Sequence, residues 1–482
     1  MPSHNTQPNC PIARQDSHHS GNSSHYLGSV FECDILIIGA GAAGLAAAAA
    51  VQDKGRRVIL VEKEDHVGGT TFRSGGCMWM PNNFRMEELG IKDSIEKAEH
   101  YITAVGEATS PVTDRDIVLE DLQSQRLKAF LTQGPEMVNY FRNQGFRWMD
   151  TPSKFPDYHP HMEGAVAYGR TLDPDVFDAA SMEGWVKYLQ VQENVPVISR
   201  FEHLCVLTRP PFSTGCAIKN MAPIQDMERP MSMGQSLIAQ LLKICKEHNN
   251  VTIWTRCELQ GLLVSDLSGR AIGAKVLCEH SERPVHIHAS LGVVLTTGGF
   301  SQNQKMRDTY LGIGSTDGRA SKISTMAGWS LAAPGDIGIA LRVSQILDAD
   351  SAQLDQVWGI PTMINPGTGK VTEAMGEDRY QQFIGDPDVT PNPCMGPVKE
   401  SPFYAIRIFP GDAGTRGGLL TDEFARVLRK NGDVIHGLFA GGNASAALLE
   451  SQGAGTTLAP AMTEGFIAVT YMLSLADTVS FS

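Results

Sequence analysis

The stretch CDILIIGAGAAGLAAAAAVQDKGRRVILVEKE, from Cys33 to Glu64, restricts the fold more than any other part of the chain. Ile35 to Ile38 form an unbroken apolar run, as expected of a parallel strand buried on both faces. Gly39, Gly41 and Gly44 follow in G-x-G-x-x-G spacing. The first permits a tight turn, the second lets backbone approach a pyrophosphate, and the third lets a helix lie close on the strand. The helix from Ala42 onward is nearly all Ala and Leu. Its N-terminus, with Ala43 in the first turn, presents unpaired N–H groups and about half a positive charge to an anion. Val58 to Val61 read as the next strand, ended by Glu62 and Lys63. An acid about twenty residues past the glycines is placed to accept hydrogen bonds from a ribose.

The residues after Glu62 favour FAD over NAD. In HVGGTTFRSGGCMWMPNN, Gly69, Thr70, Thr71, Ser74, Gly75 and Gly76 offer bare backbone and hydroxyls to a long, extended cofactor. Further on, GVVLTTGGF reads as a buried strand returning to the cofactor, with Gly298 and Gly299 where backbone passes close to it. A plain β-bulge would use the same glycines. GLFAGGNASA is another strand, stopping at Gly442 and Asn443, and the GAGTT turn containing Gly455 opens a last helix at about Leu458. The N–H groups of that helix terminus are suited to hydrogen-bond the flavin O2 and stabilise negative charge on the reduced ring.

Forty Lys plus Arg against 53 Asp plus Glu leave a formal charge of −13, which argues against a nucleic-acid partner. Nine scattered cysteines without a C-x-x-C pair fit reduced thiols better than a disulfide framework, and no metal site is read. No apolar run of about 18 residues stands out as a transmembrane segment, so the expected compartment is the cytoplasm. The 482 residues divide into a polar tail at 1–30, expected to be disordered, a first FAD-binding part at 31–300, a substrate cap at 301–400 and a second FAD-binding part at 401–482.

Over nearly all of residues 31–482 the chain resembles the fumarate reductase and 3-ketosteroid dehydrogenase superfamily, most closely the 3-ketosteroid Δ1-dehydrogenases. The resemblance is carried by GGTTFRSGGCMWMPNN, FPDYHP with GRTLDP, PFYAIRIFPGDAGTRGGLLTD and GLFAGGNASA. It implies an α/β fold: a Rossmann-type, GR2-like FAD-binding domain with a parallel sheet and helices, into which a shortened α+β substrate cap is inserted. It also implies an FAD-dependent oxidoreductase acting on a CH–CH bond beside a ketone, in a steroid-like or terpenoid polycycle, with an electron acceptor that the sequence does not name.

By the same resemblance Phe155 lines the substrate site, Tyr158 supports the catalytic base, and the Gly455 amide binds the ketone oxygen. Ser451 stands where the family has a ketone-polarising tyrosine, and no tyrosine lies between Tyr310 and Tyr380 to match the family's base. Tyr380 and Tyr404 are the candidate substitutes. The flavin-contact run G-D-G-I of the family reads GDIGIAL here, at Gly335 to Leu341. Gly414 and the Gly453–Thr457 turn occupy the dicarboxylate-clamping positions of fumarate reductases, so Arg416 and Arg170 are read as ion-pair residues. Two other functions follow from the missing base: a non-redox, FAD-dependent double-bond isomerase, or a catalytically impaired flavin-binding homologue.

Overall fold

A computed structural model describes residues 30–51, 55–109, 117–150, 155–190, 227–247, 250–279, 281–311, 326–364, 371–373 and 408–479. In chain order the principal elements are β1 (Val30–Ile38), α1 (Ala42–Ala50), β2 (Val58–Val61), β3 (Met78–Trp79), α2 (Ile95–Thr109), α3 (Ile117–Asn143), β4 (Thr171–Leu172) and α4 (Met233–Glu247). There follow β5 (Val251–Trp254), β6 (Cys257–Val264), β7 (Ala271–Cys278), β8 (Val285–Leu295), β9 (Val357–Ile364), β10 (Val371–Glu373), β11 (Ile408–Thr415), β12 (Arg426–Leu428), β13 (Val434–Ala440) and α5 (Leu458–Val479). The tail at 1–29, Tyr380 and Tyr404 lie outside the described residues.

The main sheet runs in the order β12-β13-β8-β1-β2-β5, with the β6–β7 hairpin attached to the first half of β8. β1 is parallel to β2 and β8, and β2 to β5, which is the arrangement the apolar run at Ile35–Ile38 demands. Its side chains split by period two: Ile35 and Ile37 enter the core beneath the helices, while Leu36 and Ile38 enter the core beneath the hairpin. Each such fully buried side chain contributes about 1.5–3 kcal/mol.

Every residue of α1 is buried, because the helix is sandwiched between the sheet, α4 and α5. Small side chains make the sandwich thin enough: a Cβ added at Gly465 of α5 would lie 2.2 Å from the Ala43 carbonyl oxygen of α1. Residues Leu458–Asp477 of α5 have the length and mean hydropathy, 1.3, of a membrane span, which corrects the expectation that no such run exists. Their apolarity is explained by packing, since Ala459, Met462, Ala468 and Val469 belong to the core beneath the helices.

The cysteine reading also needs correction. Cys257 and Cys278 face each other directly across the β6–β7 hairpin and are joined in a disulfide, whereas Cys33, Cys77 and Cys245 are buried and take no part in that bond. Their sequence separation hides the pairing, because only the antiparallel register makes them neighbours. The nine cysteines are therefore not all reduced thiols. Beyond the main sheet, β9 pairs with both β10 and β11, so the small three-stranded sheet takes two strands from before residue 400 and one from after it.

Candidate functional site

At the carboxyl ends of β1, β2 and β8 a cleft of about 1270 Å³, counting space open to solvent, runs across the sheet. Gly39 begins it. With φ at +103° and a hypothetical Cβ only 2.4 Å from the Thr296 carbonyl oxygen, no other residue fits there. Gly44 is equally constrained, its Cβ position being 1.9 Å from the Gly39 oxygen, so it sets the approach of α1 to the strand instead of touching the cleft.

Gly41 and Ala43 line the cleft, and among the described residues their amides meet no protein acceptor. They are orphan donors of a helix N-terminus, groups of the kind that hold an anion. Glu62, also on the wall, is held by backbone amides: Ala40 donates to Oε2 at 2.8 Å and Glu64 to Oε1 at 3.0 Å. Burial pushes its carboxyl up from the ordinary range, and these two amides oppose that rise. Beside it Lys63 pairs with Glu258 of the hairpin at 3.4 Å.

Gly69, Thr70, Thr71 and Ser74 line the same cleft, as do Gly298, Gly442, Asn443 and Leu458. Gly75, Gly76, Gly299 and Gly455 do not. Gly76 is pressed against the start of α4 and Gly299 against Thr415, a packing demand that gives the same glycine signal in sequence as cofactor contact. Two buried polar atoms of cleft residues, Thr297 Oγ1 and Asp336 Oδ1, have no protein partner among the described residues. Burial and the like charge of Asp412 push Asp336 up to about 7.

The second cluster predicted from sequence is assembled around Trp79. Phe155 is buried with Cys77 and Ala454, and Tyr158 packs on that group. The Tyr158 amide donates to the Gln452 carbonyl at 2.9 Å, and the Trp79 amide donates to the Gly455 carbonyl at 3.2 Å. Gly455, at φ +97°, keeps an amide without protein acceptor among the described residues. Ser451 Oγ lies 3.1 Å from His159 Nε2. Beneath them Asp157 accepts from Trp79 Nε1, the Val166 amide and Arg170, each at 2.8–2.9 Å. Thr457 and Leu458, two and three residues past Gly455, return to the cleft wall.

A family model described as an FAD binding domain matches residues 34–378 and 370–458. The chain belongs to this FAD-binding family. Over 573 aligned positions it is 29% identical to the 3-oxosteroid 1-dehydrogenase of Comamonas testosteroni, covering 92% of this chain and 96% of the relative. It is 27% identical to the 4-oxocyclohexanecarboxylate 2-dehydrogenase of Sinomonas cyclohexanicum, covering 90% and 92% respectively. Among solved structures, 3-ketosteroid delta1-dehydrogenase from Sterolibacterium denitrificans in complex with 1,4-androstadiene-3,17-dione superimposes with a TM-score of 0.78 at 25% identity, covering 92% of this chain and all of that one. The first alignment has 573 positions against 482 residues here, so at least 573 − 482 = 91 of them are gaps in this chain.

As a member of this FAD-binding family, the protein has the Rossmann-type fold of the ketosteroid dehydrogenases, uses FAD as cofactor, and is an FAD-dependent oxidoreductase of that type. The chemistry of the cleft wall fits such a cofactor: it combines orphan amides of a helix N-terminus, a carboxylate oriented by backbone amides, and the partnerless atoms Thr297 Oγ1 and Asp336 Oδ1. Sequence reading missed Glu258 and Leu259 of the hairpin, and Ala333. Glu258 and Leu259 carry no glycine signal and reach the wall only through tertiary folding. Gly335, Asp336, Ile337 and Ile339 of the departing GDIGIAL run line the cleft in spite of the departure. Arg170 is an ion-pair residue as expected, though fully buried between Asp93 and Asp157, and Arg416 pairs with Glu450.

Proposed function

We propose that this protein dehydrogenates the carbon–carbon bond beside a ring ketone in a steroid-like or terpenoid polycycle, or runs the reverse enone reduction. The observation that carries the reading is the docking of the Phe155–His159 strip onto the Ser451–Gly455 turn, through the Tyr158 amide and the Gln452 carbonyl, immediately before the cleft-lining Thr457 and Leu458. In this reading Gly39, Gly41 and Ala43 hold the diphosphate, Glu62 holds the adenosine ribose, and the amides at Thr457 and Leu458 face the flavin ring. Bound FAD supplies the two-electron chemistry.

The rest is done by the chain. The Gly455 amide donates to the ketone oxygen and so makes the adjacent carbon more acidic. Tyr158, whose phenol can both accept and donate a proton, holds or relays the proton leaving that carbon. Phe155, with Cys77 and Ala454, forms an apolar floor that keeps water from the reacting carbons. The segment around β9 and β11 belongs to the substrate cap in this reading.

Anaerobic mixing of the yellow protein with 3-ketosteroids and smaller cyclic ketones tests the proposal. Bleaching of the visible flavin band, reversed by an acceptor dye, is expected; a flavin whose spectrum no ring ketone or enone alters removes the reading. Turnover that continues without any acceptor assigns the isomerase chemistry instead.

A further inference from the structure

We propose that Ser451 and His159 together form a second donor to the substrate's ketone oxygen, with His159 as the positioning residue that aims the Ser451 hydroxyl. The inference rests on the ring-ketone reading above. Its geometric basis is the 3.1 Å contact between His159 Nε2 and Ser451 Oγ, which joins two segments 292 residues apart in sequence.

That contact is held in register from both sides. The His159 amide donates to Tyr101 Oη at 3.1 Å, and the same Tyr101 hydroxyl donates to the Gln452 carbonyl at 2.7 Å. Tyr101 is fully buried, so the phenol is a fixed post between the residues that follow Tyr158 and Ser451. One residue before Tyr158, Asp157 is anchored by Trp79 and Arg170. His159 and Ser451 themselves are only partly buried, and Ser451 stands four residues before the open amide of Gly455. Both ends of the proposed carbonyl site therefore belong to one short stretch, and the imidazole reaches it from the strip that carries Tyr158.

The chemistry follows from the inventory of a hydroxyl, which has one proton and two lone pairs. A lone serine spreads its proton over several directions. When Nε2 carries hydrogen and donates into a lone pair, the Ser451 proton is left to point at a ketone oxygen beside the Gly455 amide. No bond is made or broken in this step; the hydroxyl only hydrogen-bonds the carbonyl. The tautomer is therefore part of the proposal: Nε2–H toward Ser451, with the imidazole not acting as the base.

The test uses the FAD-loaded protein and 1,4-androstadiene-3,17-dione carrying carbon-13 at its ring-A ketone, read by infrared difference spectroscopy. Wild type is expected to lower the labelled carbonyl stretch. Ser451→Ala and His159→Ala are each expected to recover part of that lowering, and the double variant no more than either alone, because the two residues act as a unit. His159→Gln, which keeps a donor, is expected to restore most of it. In turnover of a ring ketone, Ser451→Ala should lose about a hundredfold in kcat/KM and His159→Ala about tenfold or more, mostly in kcat. Flavin content and unfolding midpoint show that each variant is folded. Variants that shift the band as far as wild type, or single effects that add in the double variant, overturn the inference alone. A wild type that leaves the carbonyl band at its aqueous position overturns the ring-ketone reading and this inference with it.

Discussion

Arg170 and Asp157 lie 2.8 Å apart with both side chains sealed from solvent, and Arg170 spans onward to Asp93 at 2.7 Å. A buried pair of this kind is not a large source of net stability, but removing one member strands the other charge at a cost of about 3–5 kcal/mol. Because Asp157 precedes Tyr158, Arg170→Met is expected to lower the free energy of unfolding by that amount, read as a lower denaturant midpoint, and to reduce ring-ketone turnover. The same variant should leave flavin content nearly unchanged, since neither acid lines the cofactor cleft. Equilibrium unfolding followed by the flavin band and by far-UV dichroism checks both halves.

A second expectation concerns pH. Burial pushes Asp157 up to about 6, even with Arg170 beside it, and burial with Asp412 pushes Asp336 up to about 7. An acid whose folded pKa exceeds its unfolded value binds more protons when folded, so its contribution is fully present below about pH 4 and is lost as pH rises through the folded value. Between pH 4 and 7 these two groups therefore make stability fall with rising pH. Asp336→Asn is expected to flatten that slope. Urea midpoints measured across this interval for wild type and variant decide it, and an unchanged slope would contradict the assignment.

Cofactor retention gives a third test. Gly44→Val places atoms where the Gly39 carbonyl already sits, so the variant is expected to be colourless or insoluble. Glu62→Gln keeps the shape but loses the charge that strengthens hydrogen bonds from a ribose; a loss of about 1.5–3 kcal/mol, or roughly ten- to hundredfold in FAD affinity, is expected. Flavin absorbance per protein and titration of stripped protein with FAD measure the two effects.

Opening the Cys257–Cys278 bond, either by reduction or as Cys257→Ser, is expected to lower stability by roughly 2–4 kcal/mol. Cys257 and its neighbours Glu258 and Leu259 form part of the cleft wall, so the same change should weaken FAD binding by a smaller factor. Paired melting curves with and without reductant, in the presence and absence of excess FAD, separate the two.

Much of the cofactor half was legible because its chemistry is local. Gly39, Gly41 and Glu62 follow one another within a single strand-helix-strand unit, where each spacing has a physical reason that survives in one dimension. The substrate half was only partly legible. Phe155, Tyr158, Ser451 and Gly455 were named through resemblance, yet the contact between His159 and Ser451 depends on how Tyr101, from a third segment, brackets them. The cysteine pair was misread for a related reason: hairpin register, not spacing, brings Cys257 opposite Cys278. For Gly76 and Gly299 the sequence does not separate two demands, since a glycine pressed by neighbouring protein atoms looks the same there as one pressed by a ligand.

Trp79 touches both the strip that carries Tyr158 and the turn that carries Gly455. Its indole N–H is tied to Asp157, its ring edge abuts Gly453, and its backbone bonds the turn that leads into the last helix. One of the six tryptophans of the chain thus sits where these two segments meet. Anything that disturbs that junction should change its emission, read as the difference between wild type and Trp79→Phe, without any label being added.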